Sequence, residues 1–344
     1  MYPYTLEWFF GVINIKYLKY IISYETDPYK NLALEEYLLH KVTKDECILY
    51  LWQNEKTVVI GRNQNPWNEC QINELIADGG KLVRRLSGGG AVYHDLGNLN
   101  FTFLATKENY NVAKQLDVII RAVNSLGIPA ITSGRNDITA LGRKFSGNAF
   151  FNIKDQCYHH GTILVDVDIN SLSKYLNVSR TKLRSKGVDS VKSRVTNLID
   201  YRPSITIDIL KNELIHAFRE TYNLKPIQME VSKLPRNKIE SLRQKYSSWD
   251  WNFGKKIEFS DRISRRFSWG DIELQLRVEG GIIKECAVYS DALDTELFSE
   301  IGKQLLGCIF DKNAMEARLR GILIDEDKKP IIDDVIKLVI SIIG

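Results

Sequence analysis

Residues 84–95 read RRLSGGGAVYHD, which places two arginines, three consecutive glycines and a histidine within twelve positions. That mixture of fixed charge and backbone freedom suits anion binding. Three glycines in a row reach dihedrals closed to other residues and let the main chain approach a ligand closely. Backbone N–H groups presented in such a turn form a concave nest for anions. The planar guanidinium of Arg85 can grip phosphate or carboxylate oxygens with two parallel hydrogen bonds. A plain tight turn uses the same glycines, so the stretch alone leaves both readings open. It matches neither G-x-x-x-x-G-K-[ST] nor a dinucleotide fingerprint, because no helical pattern follows it.

Two further segments carry candidate chemistry. GRNDITALGRKFSGNAF (134–150) sets Lys144 beside Phe145 in a stretch patterned for a sheet. A lysine is ordinarily solvated, and one that points inward needs an anionic partner. CYHHGTILVDVD (157–168) places His160 before a glycine at the start of an alternating strand. An imidazole there serves either packing or chemistry.

Periodicity and punctuation outline the elements that must hold these residues. PYKNLALEEYLLHK (28–41) reads as a helix with Asp27 as cap and Pro28 in its first position. CILYLWQNEKTVVIGR (47–62) is two strand-like runs around 53–56, a hairpin pattern. INELIADGG ends a short helix at Gly79 and Gly80. Val112, Leu116, Ile119, Ile120, Val123 and Leu126 keep helical spacing up to Gly127 and Pro129. Strand-like segments fill 131–168, and 207–222 is helical, with Leu210, Leu214, Phe218 and Tyr222 on one face. Residues 232–251 are polar, as a connecting helix or linker would be. After them IELQLRVEGGIIKECAVYSD alternates around Gly280 and Gly281 like a hairpin, and amphipathic stretches follow near 297–306 and 331–343. No internal repeat or low-complexity tract occurs. The pattern predicts an α+β fold: a leader or first element over 1–22, a large mixed domain over 23–245 and a smaller α+β domain over 246–344.

Bulk properties narrow the function. The chain has 344 residues, 44% hydrophobic and 26% charged, an ordinary globular composition. A net charge of +4 falls short of a dedicated nucleic-acid binder. Five cysteines are scattered without a CxxC pair, signalling neither zinc site nor disulfide framework. A reducing, cytoplasmic setting fits. Residues 1–22 are aromatic and aliphatic, but Glu7, Lys16 and Lys19 make them too charged to span a bilayer, and they lack the plan of a signal peptide.

Taken in order, RRLSGGGAVYHDLGNLNFTF, GRNDI…GRKFSGNA, HHGTILVDVD and KGVDSVKSRVTNL resemble the lipoate–protein ligase family of the A type. NLALEEYLL and VVIGRNQNPWNEC extend the similarity towards the N-terminus, and WDWNFGKKIEFSDRISRRFSWGDIELQLRVEGGII resembles that family's C-terminal accessory domain. The similarity runs from about residue 19 to residue 344. The family shares its catalytic fold with biotin–protein ligases. The resemblance implies a two-step ligase: lipoate and ATP give lipoyl-AMP and pyrophosphate, and the lipoyl group passes to a lysine of an acceptor domain. The acceptors implied are acidic lipoyl domains of 2-oxoacid dehydrogenase E2 components and the glycine-cleavage H protein. A monomer with no nucleic-acid or membrane partner is expected.

Residue roles follow from the same resemblance. Arg85, Gly90, Ala91, Val92 and Tyr93 would hold the nucleotide, and Asn136 and Asp137 would lie near it, with Asp137 a candidate for Mg2+. Lys144 would bridge the lipoate carbonyl and phosphate as the catalytic residue. Arg84, Ser87, Gly88, His94 and His160 would line the lipoate side. Leu34, Leu86 and Val92 are candidates for the apolar slot that the acyl tail needs. The basic stretch 179–194, with Arg180, Lys182, Arg184, Lys186, Lys192 and Arg194, would close over the adenylate and meet the acceptor. Cys157 adds an alternative. The related octanoyltransferases carry a catalytic cysteine near this place, and a thiolate beside histidine and Lys144 could form a thioester instead of an adenylate. A lipoyltransferase that needs preformed lipoyl-AMP is a further alternative, though such relatives depart from GRND and GRK.

Overall fold

The strand Asn98–Thr106 alternates cleanly: Leu99, Phe101, Phe103 and Ala105 enter one core, while Asn98, Asn100 and Thr102 turn to the other side. This two-faced strand is one of the two middle strands of its eight-stranded sheet. The computed structural model describes residues 15–134, 136–177, 194–254 and 258–343. Its strands are β1 (Tyr17–Ile22), β2 (Glu46–Trp52), β3 (Thr57–Ile60), β4 (Lys81–Arg84), β5 (Val92–His94), β6 (Asn98–Thr106) and β7 (Ala130–Ser133). The series continues with β8 (Asp137–Ala140), β9 (Arg143–Ile153), β10 (Gln156–Leu164), β11 (Pro226–Met229), β12 (Asp261–Phe267), β13 (Gly270–Glu279) and β14 (Ile282–Ser290).

The chain divides into two compact units, neither contiguous in sequence. The described residues of the first fall within Met1–Lys56, His94–Ile169 and Arg180–Gln244, and those of the second within Thr57–Tyr93, Asn170–Ser179 and Lys245–Gly344. The first unit is built on an eight-stranded sheet in the order β11-β1-β2-β6-β10-β9-β8-β7. The helices Val112–Ser125 and Ile207–Tyr222 bury Val118, Ile119, Ala122, Val123, Leu210, Leu214 and Phe218 against the Phe101 and Phe103 face. Each of these side chains larger than Ala122 contributes roughly 1.5–3 kcal/mol of burial. On the Thr102 face lies the helix Pro28–Leu39, started by Asp27, whose side chain accepts from the Tyr29 N–H at 3.2 Å. Asn111 and Thr206 cap the other two helices in the same way.

The second unit holds two three-stranded sheets, β4-β3-β5 and β12-β13-β14. Gly280 and Gly281, at φ 58° and 75°, make the two-residue turn between β13 and β14, as the sequence pattern predicts. Helices Glu296–Leu305, Lys312–Arg320 and Lys329–Ile343 close the core around Leu274, Leu276, Phe298, Ile301 and Val335. The mixture of sheets and helices in both units is an α+β fold.

One element pairing expected from sequence fails. The run 47–62 does not fold as a hairpin: β2 lies between β1 and β6, while β3 pairs in parallel with β4. All seven residues of β2 are buried and both its edges are already taken. The turn-like 53–56 segment is therefore a passage between sheets. Among the described residues, no helix is long and apolar enough to cross a membrane.

Candidate active site

In the first unit, Lys144 lies beside a β-bulge. Thr139 stands opposite Lys144, and Ile138 opposite Ser146, so Phe145 is the extra residue of β9. A bulge re-aims the side chains next to it. Phe145 goes into the core, and Lys144 Nζ lies 2.6 Å from Asp137 Oδ1. The other carboxylate oxygen accepts from Arg194 Nη2 at 2.8 Å. Gly147, paired with Asp137 across the strands, makes room for this cluster. A Cβ there would stand 2.8 Å from Lys144 Nζ. Burial alone would raise the Asp137 carboxyl, but Lys144 and Arg194 hold it below the ordinary carboxylate range. Two cations on one carboxylate leave net positive charge, and an incoming phosphate or carboxylate could take over contacts that Asp137 now makes.

Asn136 is tied to the same corner. Its Nδ2 donates to the Asn148 carbonyl at 3.0 Å, and Asn148 Nδ2 donates to the Asn136 carbonyl at 3.0 Å. Among the described residues no group of three or more histidine, cysteine or acidic side chains could hold a metal ion. Asp137 alone, already engaged by two cations, is not a magnesium cage.

Next to this cluster the register defines a polar floor. Across β6, β10 and β9, Thr162 faces Asn100 and Gly147, while His160 faces Thr102 and Ala149. His160 Nδ1 lies 2.9 Å from Glu35 Oε1, and the same oxygen accepts from Thr102 Oγ1 at 2.7 Å. Thr102 Oγ1 in turn accepts from Trp52 Nε1 at 3.1 Å. The Trp52 ring meets His94 edge-on, with centroids 6.2 Å apart. His94 Nδ1 lies 3.2 Å from Asn54 Nδ2, so this ring nitrogen is the acceptor. His94 and His160 thus belong to one buried wall, with Leu34 beside Glu35 on the helix behind it.

The glycine turn and both arginines belong to the second unit. Arg85 is buried and its fork is spent on its own loop. Nε donates to Ser87 Oγ at 3.0 Å, Nη2 to the Gly88 and Gly90 carbonyls at 2.7 and 2.8 Å, and Nη1 to Val59 at 3.2 Å. Arg84 is bound still more completely. Its guanidinium donates to the carbonyls of Gly61, Arg62, Gln64, Trp251 and Asn252 at 2.6–3.1 Å. Burial, aided by Arg62, lowers its pKa to about 10, so it stays charged at neutral pH. The close approach that the glycines permit is to protein: a Cβ on Gly88 would lie 2.4 Å from the Ala292 carbonyl oxygen. Gly89, at φ 91°, donates to that same carbonyl at 3.2 Å. Gly90, Ala91 and Val92 are half-buried, Leu86 is buried, and Tyr93 packs on Tyr175 with ring centroids 5.4 Å apart.

Cys157 does not join the site as the thioester alternative requires. On a strand, residues three apart face opposite sides. His160 meets Glu35, whereas Cys157 shares the face of His159, which packs on Phe101 and Phe103. Burial pushes the Cys157 thiol up to about 11, with Lys107 offsetting only part of the effect. A buried, protonated thiol on the wrong face is a poor nucleophile. Sequence reasoning missed Glu35, Trp52 and Thr102. The signal was Asn31 and Glu35, four residues apart in the helix Pro28–Leu39, a spacing that puts both on one face. Of the basic stretch 179–194 only Arg194 lies within the described residues, as does nothing of the first fourteen.

Known proteins bear on this geometry. A family model described as lipoyl protein ligase A/B catalytic domain matches residues 27–219, and one described as bacterial lipoate protein ligase C-terminus matches residues 256–338. The chain is 42% identical to lipoate-protein ligase A of Psychrobacter cryohalolentis over 309 residues, 88% of this chain and 91% of the relative. Among solved structures it is similar to P. falciparum LipL1 in complex with lipoate, at TM-score 0.82 and 31% identity, covering 94% of this chain and 99% of that one. A bipartite lipoate protein ligase with its E2 lipoyl domain from Thermoplasma acidophilum matches at TM-score 0.61 and 27% identity, over 71% and 99% of the two chains. A lipoate-protein ligase A bound with ATP matches at TM-score 0.59 and 26% identity, over 70% and 99%.

Proposed function

The chain belongs to the lipoate–protein ligase family, and on that premise we propose how its own residues divide the work of an ATP-dependent ligase. In the first half-reaction a lipoate carboxylate oxygen attacks the α-phosphorus of ATP. The new O–P bond forms as the bond to pyrophosphate breaks, giving lipoyl-AMP. In the second, an acceptor lysine amine attacks the lipoyl carbonyl, loses a proton and expels AMP, leaving an amide. The observation that carries this reading is the Lys144–Asp137–Arg194 cluster laid across Gly147.

Lys144 is the catalytic cation. Its ammonium neutralises charge building on phosphoryl oxygens in the first step and steadies the carbonyl oxygen in the second. Asp137 holds it in place until substrate phosphate competes for it. Magnesium enters as part of the MgATP substrate, carried by phosphate oxygens. No step here is assigned to a protein-held metal. Gly90, Ala91, Val92 and Tyr93 present backbone to the nucleotide, and Arg85 acts by fixing the loop that carries them. His160, oriented by Glu35, and His94, oriented by Asn54, line the lipoate side with Ser87 and Gly88. Arg84 contributes by anchoring its loop. Leu34, Leu86 and Val92 are the apolar contacts for the acyl tail. Positioning, with no covalent enzyme intermediate, supplies the acceleration.

Residues 23–245 form the catalytic segment in this reading and 246–344 the accessory one. The acceptors are acidic lipoyl domains, including those of E2 components and the H protein. The basic residues of 179–194 steer their approach. The test is pyrophosphate release with ATP and magnesium, comparing lipoate, octanoate and no acid. Release that requires the acid supports adenylation; release equal in all three, or none with any, overturns it.

A further inference from the structure

His159, the residue before the site histidine, is fully buried among Phe101, Phe103 and Phe150, with ring centroids 4.9–5.9 Å away. The reaction described above does not use it, yet both ring nitrogens have polar neighbours. Nε2 lies 2.8 Å from Asn148 Oδ1, and Nδ1 lies 3.2 Å from Gln115 Oε1. The Asn148 amide cannot be turned round, because its Nδ2 donates to the Asn136 carbonyl at 3.0 Å. Asn148 Oδ1 is therefore an acceptor, and His159 Nε2 must carry the proton.

Burial lowers the His159 pKa to about 3, with the neighbouring His160 adding to the effect, so the ring is neutral and has only that one proton. Nδ1 is then an acceptor and calls for a donor from Gln115. Gln115 Nε2 is buried without an acceptor when the Gln115 oxygen faces His159, and the Tyr222 hydroxyl has Cys47 and Gln115 as its polar neighbours. Turning that amide answers both needs at once, since O and N of an amide are interchangeable in shape. With the amide turned, Gln115 Nε2 donates to His159 Nδ1, and Gln115 Oε1 becomes an acceptor for the Tyr222 hydroxyl, whose other polar neighbour is the Cys47 thiol. Four side chains then form one chain with a single polarity, Tyr222 to Gln115 to His159 to Asn148, ending on the Asn136 carbonyl. Asn136 precedes Asp137, whose carboxylate holds Lys144 at 2.6 Å.

We infer that His159 is a positioning residue whose Nε2–H, acting through Asn148, fixes the Asn136–Asp137 corner and thereby the place of Lys144. The inference rests on the adenylation reading for its kinetic consequence but not for its tautomer. A shift of about an ångström at a reacting group can cost on the order of 10²-fold in rate. The chain would impose that order from the far side of the sheet, out of contact with substrate.

Two measurements test it. Long-range proton–nitrogen correlation NMR on histidine-labelled protein should show His159 protonated at Nε2 alone, unchanged between about pH 8 and about pH 5. A ring protonated at Nδ1, or one that titrates in that range, overturns the inference whatever the enzyme does. The kinetic arm compares His159→Phe, which keeps the ring but not the donor, with His159→Gln, whose amide offers both a donor and an acceptor. His159→Phe should lose about 10²-fold in kcat/KM for ATP in pyrophosphate exchange, while His159→Gln stays within about tenfold of the parent. Transfer from supplied lipoyl-AMP should fall in the same order, since Lys144 serves both steps. Equal losses for the two variants at matched folding would contradict a positioning role. If His159→Phe does not fold, His159→Gln and the tautomer decide. Absence of exchange in the parent protein is a separate failure, of the adenylation reading, and leaves the tautomer result standing.

Discussion

Lys144 illustrates what residue type alone can announce. A lysine in a sheet-patterned stretch demands an anion, and Asp137 is there at 2.6 Å. Removing the ammonium leaves Asp137 paired with Arg194 and removes the charge proposed to meet both phosphate and carbonyl. Lys144→Ala should therefore lower the rate of adenylate formation by 10²–10³-fold, about 3–4 kcal/mol, in a protein that still folds. Unchanged turnover would exclude the assignment. Cys157 shows the opposite lesson: its spacing from His160 looked suggestive, yet strand parity sends it to the other face. With the thiol pushed up to about 11, only about a thousandth is ionised at pH 8. Cys157→Ser should keep most ATP-dependent transfer, and loss of transfer together with a trapped thioester on the parent enzyme would reverse this conclusion.

At the scale of elements, strands and helices were legible wherever a local period or cap set them, as in Asp27 with Pro28 or the Gly280–Gly281 turn. Pairing was not legible where partners are distant in sequence. Nothing local in 47–62 says that β2 lies between β1 and β6. The two arginines make the same point, since a charge beside glycines reads as a ligand grip until its carbonyl partners are known. Arg84 ties the Gly61–Gln64 turn to Trp251 and Asn252. Arg84→Gln would strand several buried carbonyls and should destabilise the second unit by roughly 2–4 kcal/mol, read by urea denaturation. A change below about 0.5 kcal/mol would mean that these bonds contribute little. The buried His159 adds a pH signature. Its folded pKa of about 3 lies below the unfolded value of about 6.5, so the unfolded chain binds a proton that the folded one refuses. Its contribution is present above pH 6.5 and is lost as pH falls from there towards 3, by up to about 1.4 kcal/mol per pH unit. Denaturation at stepwise lower pH should show a shallower decline for His159→Gln than for the parent.

For the molecule as a whole, residues 57–93 group with residues beyond 244, a partition that no linker composition foretells. It depends on contacts such as Asn63 Nδ2 to the Thr295 carbonyl at 3.0 Å. Function was more legible than this architecture, because the motif order carries the family while contacts between distant segments carry the units. Long-range charge belongs to this scale too. Steering by exposed cations is screened over about 8 Å at physiological salt, so acceptor transfer should slow as salt rises while adenylate formation changes less. Charge reversal at Lys182 and Arg184 should raise the KM for acceptor more than that for ATP. Equal effects on both half-reactions would remove acceptor steering from the account. The most direct test of the central claim is intact-mass spectrometry of a lipoyl domain incubated with the enzyme, lipoate and MgATP. The domain should gain one lipoyl group on one lysine only when ATP and lipoate are both present, with Cys157 unmodified throughout. Gain without ATP from an acyl thioester donor, accompanied by an acyl adduct on Cys157, would contradict it.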